Sequence, residues 1–198
     1  MSFNKETEII DLFDYKASFS FKSFGNRPEA STGGLLEGKP VICGGAKLWG
    51  DDVIHIYKDM YEIVTKDEGP SSLKHGYEKM LQKRVHSASV IVNENKFMSK
   101  LWVTGGQDND DLNLNKTLNN SEFVFFEEDA KLKLKKLNSV KGPDLPFTIS
   151  QHEMAKIKEN SIYIIGGKQN GELSKNVWIV DPTNEYSIKK GPPLNNPR

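Results

Sequence analysis

Three short apolar runs along this chain each end in a pair of glycines. The runs cover residues 41–43, 101–104 and 163–165, and the first glycines of the pairs, Gly44, Gly105 and Gly166, are spaced 61 residues apart. Short runs rich in Val, Ile and aromatic residues, bounded by turn residues, favour β-strands. A fixed interval between similar segments indicates one supersecondary unit used three times.

Each repeat has the pattern of four short strands. A strand candidate precedes each Gly-Gly strand, at residues 34–36, 87–92 and 153–157, and a β-prone run follows beyond a polar loop, at residues 53–57, 122–126 and 177–180. An outer strand and a Gly-Pro step complete each unit. The pattern predicts an all-β fold of four-stranded antiparallel units. The exception is residues 71–82, where the spacing of Leu73, Tyr77, Met80 and Leu81 predicts a helix.

The beginning of the chain follows the second half of the same pattern. Residues 7–12 match residues 176–181 in their hydrophobic positions, and residues 18–22 alternate with a period of two. We therefore divide the single domain, 1–198, into a trailing half-unit at 5–26 and full units at 27–83, 84–147 and 148–198. Because such a segment exposes unpaired strands and packing faces at both ends, we expect the chain to self-associate or fray when expressed alone.

The glycine pairs have a structural explanation. They comprise Gly44, Gly45, Gly105, Gly106, Gly166 and Gly167. A glycine at a strand end lets the backbone turn without a Cβ clash and lets neighbouring segments approach closely. A phosphate-binding role would need a helix N-terminus after the pair, and no helical period follows any of them.

Composition and charge restrict the possible binding partners of the chain more than they restrict its possible folds. The chain has 198 residues, with 27 basic and 27 acidic residues and a formal net charge of +0, so we expect neither a nucleic acid nor a membrane surface as partner. The single cysteine, Cys43, lies in an apolar run and predicts a small buried side chain. The first residues lack the features of a secretory signal. We expect a cytoplasmic location, and a secreted form stays open if a signal precedes this sequence.

Motifs for catalysis or metal binding are incomplete in this sequence. Residues 33–40 approach a phosphate-binding loop, but Pro40 replaces the hydroxyl residue that would bind magnesium. The acidic run 108–111 lacks the glycine and glutamate that a calcium loop requires further along. The four histidines are not at metal-ligand spacing from one another or from the cysteine. We predict no catalytic residue, no metal and no cofactor.

The order of strand, turn, Gly-Gly strand, polar loop, aromatic-rich strand and outer strand resembles the Kelch repeat. The glycine pairs match in all three units, and Tyr57, Phe125 or Phe126, and Trp178 stand at the downstream aromatic positions. The period of 61 residues exceeds the roughly 50 residues of a Kelch unit, so the excess falls in loops. The resemblance implies a Kelch-type β-propeller of about three and a half four-stranded blades. Such a propeller is incomplete, because closure takes about 4–8 blades.

The resemblance also implies protein binding without catalysis. Kelch propellers serve as substrate receptors of ubiquitin ligases, as actin-associated scaffolds or as adhesion modules. We expect a non-catalytic protein-protein interaction module, such as a substrate receptor or adaptor, whose loops bind a protein partner. An actin-associated structural scaffold and a galactose-oxidase-like propeller enzyme are the alternatives. The candidate contacts lie in loops before each inner strand, Arg27, Arg84, His86, Gln151 and His152, and after each glycine pair, Lys47, Trp49, Gln107, Asp108, Lys168 and Gln169.

Overall fold

The structure is a computed structural model that describes residues 8–10, 18–20, 30–49, 52–64, 72–75, 78–95, 98–108, 116–129 and 134–198. These residues form strands β1 to β19 and no helix. Every pairing between the strands is antiparallel, as the alternation of apolar and polar positions predicts. The predicted all-β fold is therefore confirmed for the part of the chain that the structure describes.

Three four-stranded sheets account for most of this structure. Sheet 1 contains β3 (Thr32–Leu36), β4 (Lys39–Cys43), β7 (Met60–Val64) and β8 (Ser72–His75). Sheet 2 contains β9 (Ala88–Asn95), β10 (Met98–Thr104), β11 (Ser121–Asp129) and β12 (Leu134–Lys141). Sheet 3 contains β14 (Glu153–Lys158), β15 (Ser161–Ile165), β18 (Val177–Asp181) and β19 (Ser187–Lys190). Within each sheet the strands lie in the order in which they occur along the chain.

Short accessory pairings follow each glycine pair. In the first unit β5 (Ala46–Trp49) pairs with β6 (Asp52–Ile56). In the third unit β16 (Lys168–Gln169) lies between β13 (Ile149–Ser150) and β17 (Glu172–Leu173). In the second unit single bridges join Gln107 to Val85 and to Thr117. Outside the four-stranded sheets, these loops therefore form small sheets in the first and third units and single bridges in the second.

Two predicted elements of the first unit are wrong. The sequence pattern predicts residues 53–57 as the third strand of the unit, but Asp52–Ile56 is one strand of the accessory hairpin and Met60–Val64 is the third strand. The helix predicted over residues 71–82 is also wrong where the structure describes that segment. Ser72–His75 is instead the outer strand of sheet 1, because it completes the hydrogen bonds of Met60–Val64.

The core lies between the sheets. One cluster of fully buried side chains fills the space between sheets 1 and 2, and it contains Leu36, Val41, Cys43, Met60, Met80, Leu101, Val103, Val124 and Leu137. A second cluster fills the space between sheets 2 and 3, and it contains Val92, Trp102, Leu145, Ile149, Ile162, Ile164 and Val180. Sheet 2 is therefore covered on both faces. Its first strand, β9, contacts both β3 and β14, so the first strands of the three sheets lie side by side.

The glycine pairs join each sheet to the segment that leads into the next one. The second glycine donates its N–H to the carbonyl of a residue just before the following sheet, with Gly45 bonded to Arg84 (2.8 Å) and Gly106 to Ile149 (2.8 Å). A Cβ on the first glycine would meet the same carbonyl, at 2.6 Å from Arg84 for Gly44 and 2.3 Å from Ile149 for Gly105. The third pair makes the equivalent bond to Arg198 at 2.6 Å. Glycine is required because any side chain would separate these segments.

Near the N-terminus, β1 (Glu8–Ile10) pairs with β2 (Ser18–Ser20). This pair falls within the predicted half-unit at 5–26. The division of the chain into a half-unit and three full units stays a prediction.

Candidate functional site

The segments that enter the three sheets meet in a ladder of backbone hydrogen bonds. The His86 N–H donates to the Ala30 carbonyl at 3.2 Å, and the Gln151 N–H donates to the His86 carbonyl at 2.9 Å. All three residues have a left-handed backbone, with φ of 51°, 56° and 54°. Such values are uncommon outside glycine and cost free energy, so their recurrence at one position marks a conformation fixed by its surroundings.

In the second and third units, described members of the two predicted sets of loop residues lie at the same end of the sheets. The Val85–Gln107 bridge and the Ser150–Lys168 pair each join a segment that enters a sheet to one that follows a glycine pair. Burial lowers the pKa of the His86 imidazole, and the positive charge of Lys168 lowers it further. His86 therefore favours its neutral form, in which it offers one donor and one acceptor.

We call this end of the molecule the loop rim and define it by Ala30, Lys47, His86, Gln151 and Lys168. Lys47 and Gln151 are exposed, while His86 and Lys168 are half-buried. Gln169, next to Lys168, is also half-buried and accepts a hydrogen bond from Asn176 at 2.8 Å. The rim thus presents a cation, an amide and an imidazole from different loops.

Arg84 lies in the interior rather than on the loop surface where it was predicted. Its side chain is 0% exposed and enters sheet 2, where it donates to the Gly105 carbonyl (2.6 Å), the Asn120 side chain (3.0 Å) and the Glu122 carboxylate (2.7 Å). Glu122 is 2% exposed and also accepts two backbone N–H bonds, from Leu81 at 2.6 Å and Gln82 at 2.9 Å. Because a buried charge needs such partners, Arg84 has a structural role here.

His152 is also buried. Its Nε2 lies 2.8 Å from the Thr104 hydroxyl, and burial followed by the charge of Arg84 lowers its pKa to about 3. Gly105 lies against this ring, because a Cβ there would be 3.1 Å from the imidazole Cε1. His152 therefore stays neutral and packs between sheets 2 and 3.

Gln107 and Asp108 lie beside the rim and are largely covered. Asp108 pairs with Lys83 at 3.7 Å and with Lys116 at 3.9 Å, and it accepts a hydrogen bond from the Gln82 amide. No group of three or more His, Cys, Asp or Glu side chains among the described residues could hold a metal ion.

Two of the predicted contacts have no described side chain. Arg27 lies outside the described residues, and for Trp49 only the backbone, in β5, is described. The described part of the chain also holds no helix long and apolar enough to cross a membrane. Cys43 is fully buried, and burial raises the pKa of its thiol, so it is an unreactive core side chain.

A cavity at the opposite end of the sheets was missed by the sequence reasoning. It has a volume of about 380 Å³ and lies between strand β9 of sheet 2 and strand β14 and the turns of sheet 3. Its lining consists of Val92, Asn93, Lys156, Glu159, Pro182, Thr183 and Tyr186. Within this lining, Glu159 pairs with Lys156 at 2.8 Å, so the two opposite charges compensate each other. The lining comes from strand residues of two sheets and from turns of sheet 3, and no local sequence signal places these segments together.

Comparison with known proteins gives a fold likeness alone. No family model and no curated protein matches the sequence. A solved structure described as "Structure of YjhT" superposes with a TM-score of 0.67 at 14% identity, covering 91% of this chain. This chain spans 57% of the YjhT chain. The likeness shows that the three antiparallel sheets follow an all-β arrangement that YjhT shares.

Proposed function

We propose that the chain is a segment of a Kelch-type β-propeller and that its loop rim binds a protein partner without catalysis. Sheets 1, 2 and 3 are then three successive blades, and residues 5–26 are the trailing half-blade. The observation that carries this proposal is the ladder of Ala30, His86 and Gln151, which gathers equivalent loops from three repeats at one end.

The rim has the properties of a recognition surface. Backbone hydrogen bonds hold its loops, so little conformational entropy is lost when a partner binds. Its side chains offer donors and acceptors rather than a nucleophile with an adjacent base, which favours binding over chemistry. The resemblance to the Kelch repeat supports a substrate-receptor or adaptor role in which such a surface binds a protein partner.

A crosslinking comparison between the two ends of the molecule tests this proposal. A photoreactive residue replaces Gln151 at the rim or Glu159 at the opposite end, whose side chain is 74% exposed. We expect a partner that crosslinks from position 151 and not from 159. The purified partner should bind the double variant His86→Ala, Lys168→Ala about tenfold more weakly, a loss of about 1.4 kcal/mol.

Two outcomes would refute the proposal. One is the same set of crosslinked proteins from both positions, and the other is a partner whose affinity is unchanged by the double variant. Co-sedimentation with purified actin filaments tests the scaffold alternative in the same preparations. Binding to actin that survives the rim substitutions would favour a scaffold role through another surface.

A further inference from the structure

One register position distinguishes sheet 3 from sheets 1 and 2. In each sheet the residue four positions before the first glycine of the pair is hydrogen-bonded in register to a residue of the first strand. That first-strand residue is Leu35 in sheet 1, Ile91 in sheet 2 and Lys156 in sheet 3. Ile91 packs against the core cluster between sheets 1 and 2. Lys156 therefore places an amine where the repeat elsewhere places an aliphatic side chain.

The Lys156 side chain faces sheet 2. Residues directly opposite each other on neighbouring strands lie on the same face of a sheet. Lys156 lies opposite Ile162, and Ile162 lies opposite Val180. Ile162 and Val180 are both fully buried in the cluster between sheets 2 and 3. Lys156 thus occupies the end of an otherwise apolar row, between the two sheets.

The partner of this amine is an exposed carboxylate. The Lys156 side chain is 17% exposed, whereas that of Glu159, whose Oε2 lies 2.8 Å from the Lys156 Nζ, is 74% exposed. A largely covered ammonium needs an anion beside it. An ion pair with an exposed partner contributes little to stability, so a carboxylate from a ligand can take the place of Glu159 beside the amine.

The cavity of about 380 Å³ lies beside this pair and has walls of mixed character. Val92, Pro182 and the ring of Tyr186 form its apolar part, and Asn93 and Thr183 add an amide and a hydroxyl. Small-molecule pockets measure about 300–1,000 Å³ and combine apolar walls with a few polar groups that orient the ligand. The cavity has the size and the lining of such a pocket.

The turn that carries Tyr186 is strained. Glu185 and Tyr186 both have a left-handed backbone, with φ of 49° and 56°, and the Ser187 N–H donates to the Asn184 carbonyl at 2.8 Å. Turns with two such residues ordinarily use asparagine and glycine. Strain of this kind persists only where the surroundings hold it. Here it sets the Tyr186 ring 5.0 Å from the Trp102 ring, centroid to centroid, as a fixed wall of the cavity.

We propose that this cavity binds a free α-amino acid with an apolar side chain, such as leucine. At neutral pH the molecule carries one carboxylate and one ammonium group. Its carboxylate pairs with Lys156, its ammonium pairs with Glu159, and its side chain lies against Val92 and the Tyr186 ring. Because the ligand supplies the opposite of each charge, neither Lys156 nor Glu159 is left without a partner. A simple anion or a simple cation satisfies only one of the two.

This site is separate from the loop rim. Its lining comes from sheets 2 and 3, at the end of the sheets opposite the ladder of Ala30, His86 and Gln151. The proposal therefore does not depend on partner binding at the rim, and either one can fail without the other.

Isothermal titration calorimetry of the full chain with leucine and its analogues tests the proposal. Isocaproic acid is leucine without the ammonium group, isoamylamine is leucine without the carboxylate, and glycine lacks the apolar side chain. We expect one leucine bound per chain. We expect a dissociation constant at least tenfold higher for each of the three analogues, since each lacks one of the groups that the cavity recognises.

Variants of the charged pair assign the binding to this cavity. Lys156→Met should raise the dissociation constant for leucine at least tenfold, and it should fold, because Leu35 and Ile91 occupy the same register position. Glu159→Gln should abolish the preference for leucine over isocaproic acid, because the ammonium loses its partner. Lys158→Met is the matched control and should leave leucine binding unchanged, because Lys158 is exposed on the same strand and does not line the cavity.

Far-UV circular dichroism confirms that each variant keeps its β-structure. Absence of leucine binding at millimolar concentrations would overturn the proposal, as would an analogue that binds the wild type as tightly as leucine does. Leucine binding that survives Lys156→Met would place the ligand elsewhere and would overturn it equally.

Discussion

Replacing Gly105 with alanine tests how the glycine pairs hold the sheets together. Gly105 has φ of +57°, and an ideal Cβ there lies 2.3 Å from the Ile149 carbonyl oxygen and 2.8 Å from the Ile149 Cγ2. Gly38 is a matched control. It also has a left-handed backbone, with φ of +77°, but nothing lies within 4 Å of its ideal Cβ.

The two substitutions separate backbone strain from steric conflict. Both alanines carry the cost of a left-handed conformation, about 1–2 kcal/mol. At Gly105 the Ile149 carbonyl must also move, although it accepts the Gly106 N–H at 2.8 Å. Losing that bond in a buried position adds about 1–3 kcal/mol. We expect Gly38→Ala to lower the free energy of unfolding by about 1–2 kcal/mol and Gly105→Ala by about 2–5 kcal/mol.

Urea denaturation followed by circular dichroism measures both free energies of unfolding. The comparison holds when the slope of the free energy of unfolding against urea concentration is the same for all variants. Gly105→Val should be at least as destabilising, because a β-branched residue fits a left-handed backbone poorly. Equal losses for Gly38→Ala and Gly105→Ala would show that backbone strain alone accounts for the glycine. The close approach between sheets 2 and 3 would then have no energetic role.

Two further predictions concern buried polar groups. Arg84→Met should lower the free energy of unfolding by about 3–5 kcal/mol because it leaves the Glu122 carboxylate buried and unpaired. In urea denaturation, the double variant Arg84→Met, Glu122→Leu should lose less than the sum of the two single variants, and additive losses would contradict the pairing. His152 has a folded pKa of about 3, below the ordinary 6.5, so the folded protein binds fewer protons and loses stability as the pH falls below about 6.5. Between pH 6.5 and 5 the free energy of unfolding should fall by up to about 1.4 kcal/mol per pH unit, and His152→Gln should remove this pH dependence. An unchanged pH dependence in the variant would contradict the assignment of the low pKa to His152.

The repeat was predictable because its signal is local and periodic. Each Gly-Gly pair follows an apolar run at a fixed interval, and the strands that precede the pairs fall close to the predicted positions. Backbone geometry that only glycine tolerates leaves a mark in the sequence at each use. The Kelch assignment itself stays a prediction, since the likeness to YjhT concerns the fold alone.

The first unit misled the sequence reasoning because two β-prone runs follow its glycine pair. Residues 53–57 and Met60–Val64 have similar composition, and strand propensity does not choose between them. The backbone hydrogen bonds determine which of the two runs forms the third strand of the sheet. The Tyr57 N–H bonds the Gly45 carbonyl at 2.8 Å and the Gly44 N–H bonds the Asp59 carbonyl at 3.0 Å, so the third strand begins at Met60.

The candidate site was predicted only in part, because exposure depends on neighbouring sheets. Arg84 and His86 are two residues apart in one polar segment, and nothing local separates their roles. Arg84 points into sheet 2 toward Glu122, while His86 stays half-buried at the rim. Arg84 points inward because the buried Glu122 carboxylate needs a cation beside it, and only folding brings these two residues together.

The links between sheets also position the rim. The carbonyls of Arg84 and Ile149 each accept an N–H bond from a glycine pair. Two residues after them along the chain lie His86 and Gln151, which belong to the backbone ladder. A shift at a glycine pair therefore moves a rim residue only two positions away. Weaker partner binding by Gly105→Ala would follow from this coupling, without any contact between Gly105 and the partner. The same variant should then lose affinity and stability together, whereas Lys168→Ala should lose affinity alone.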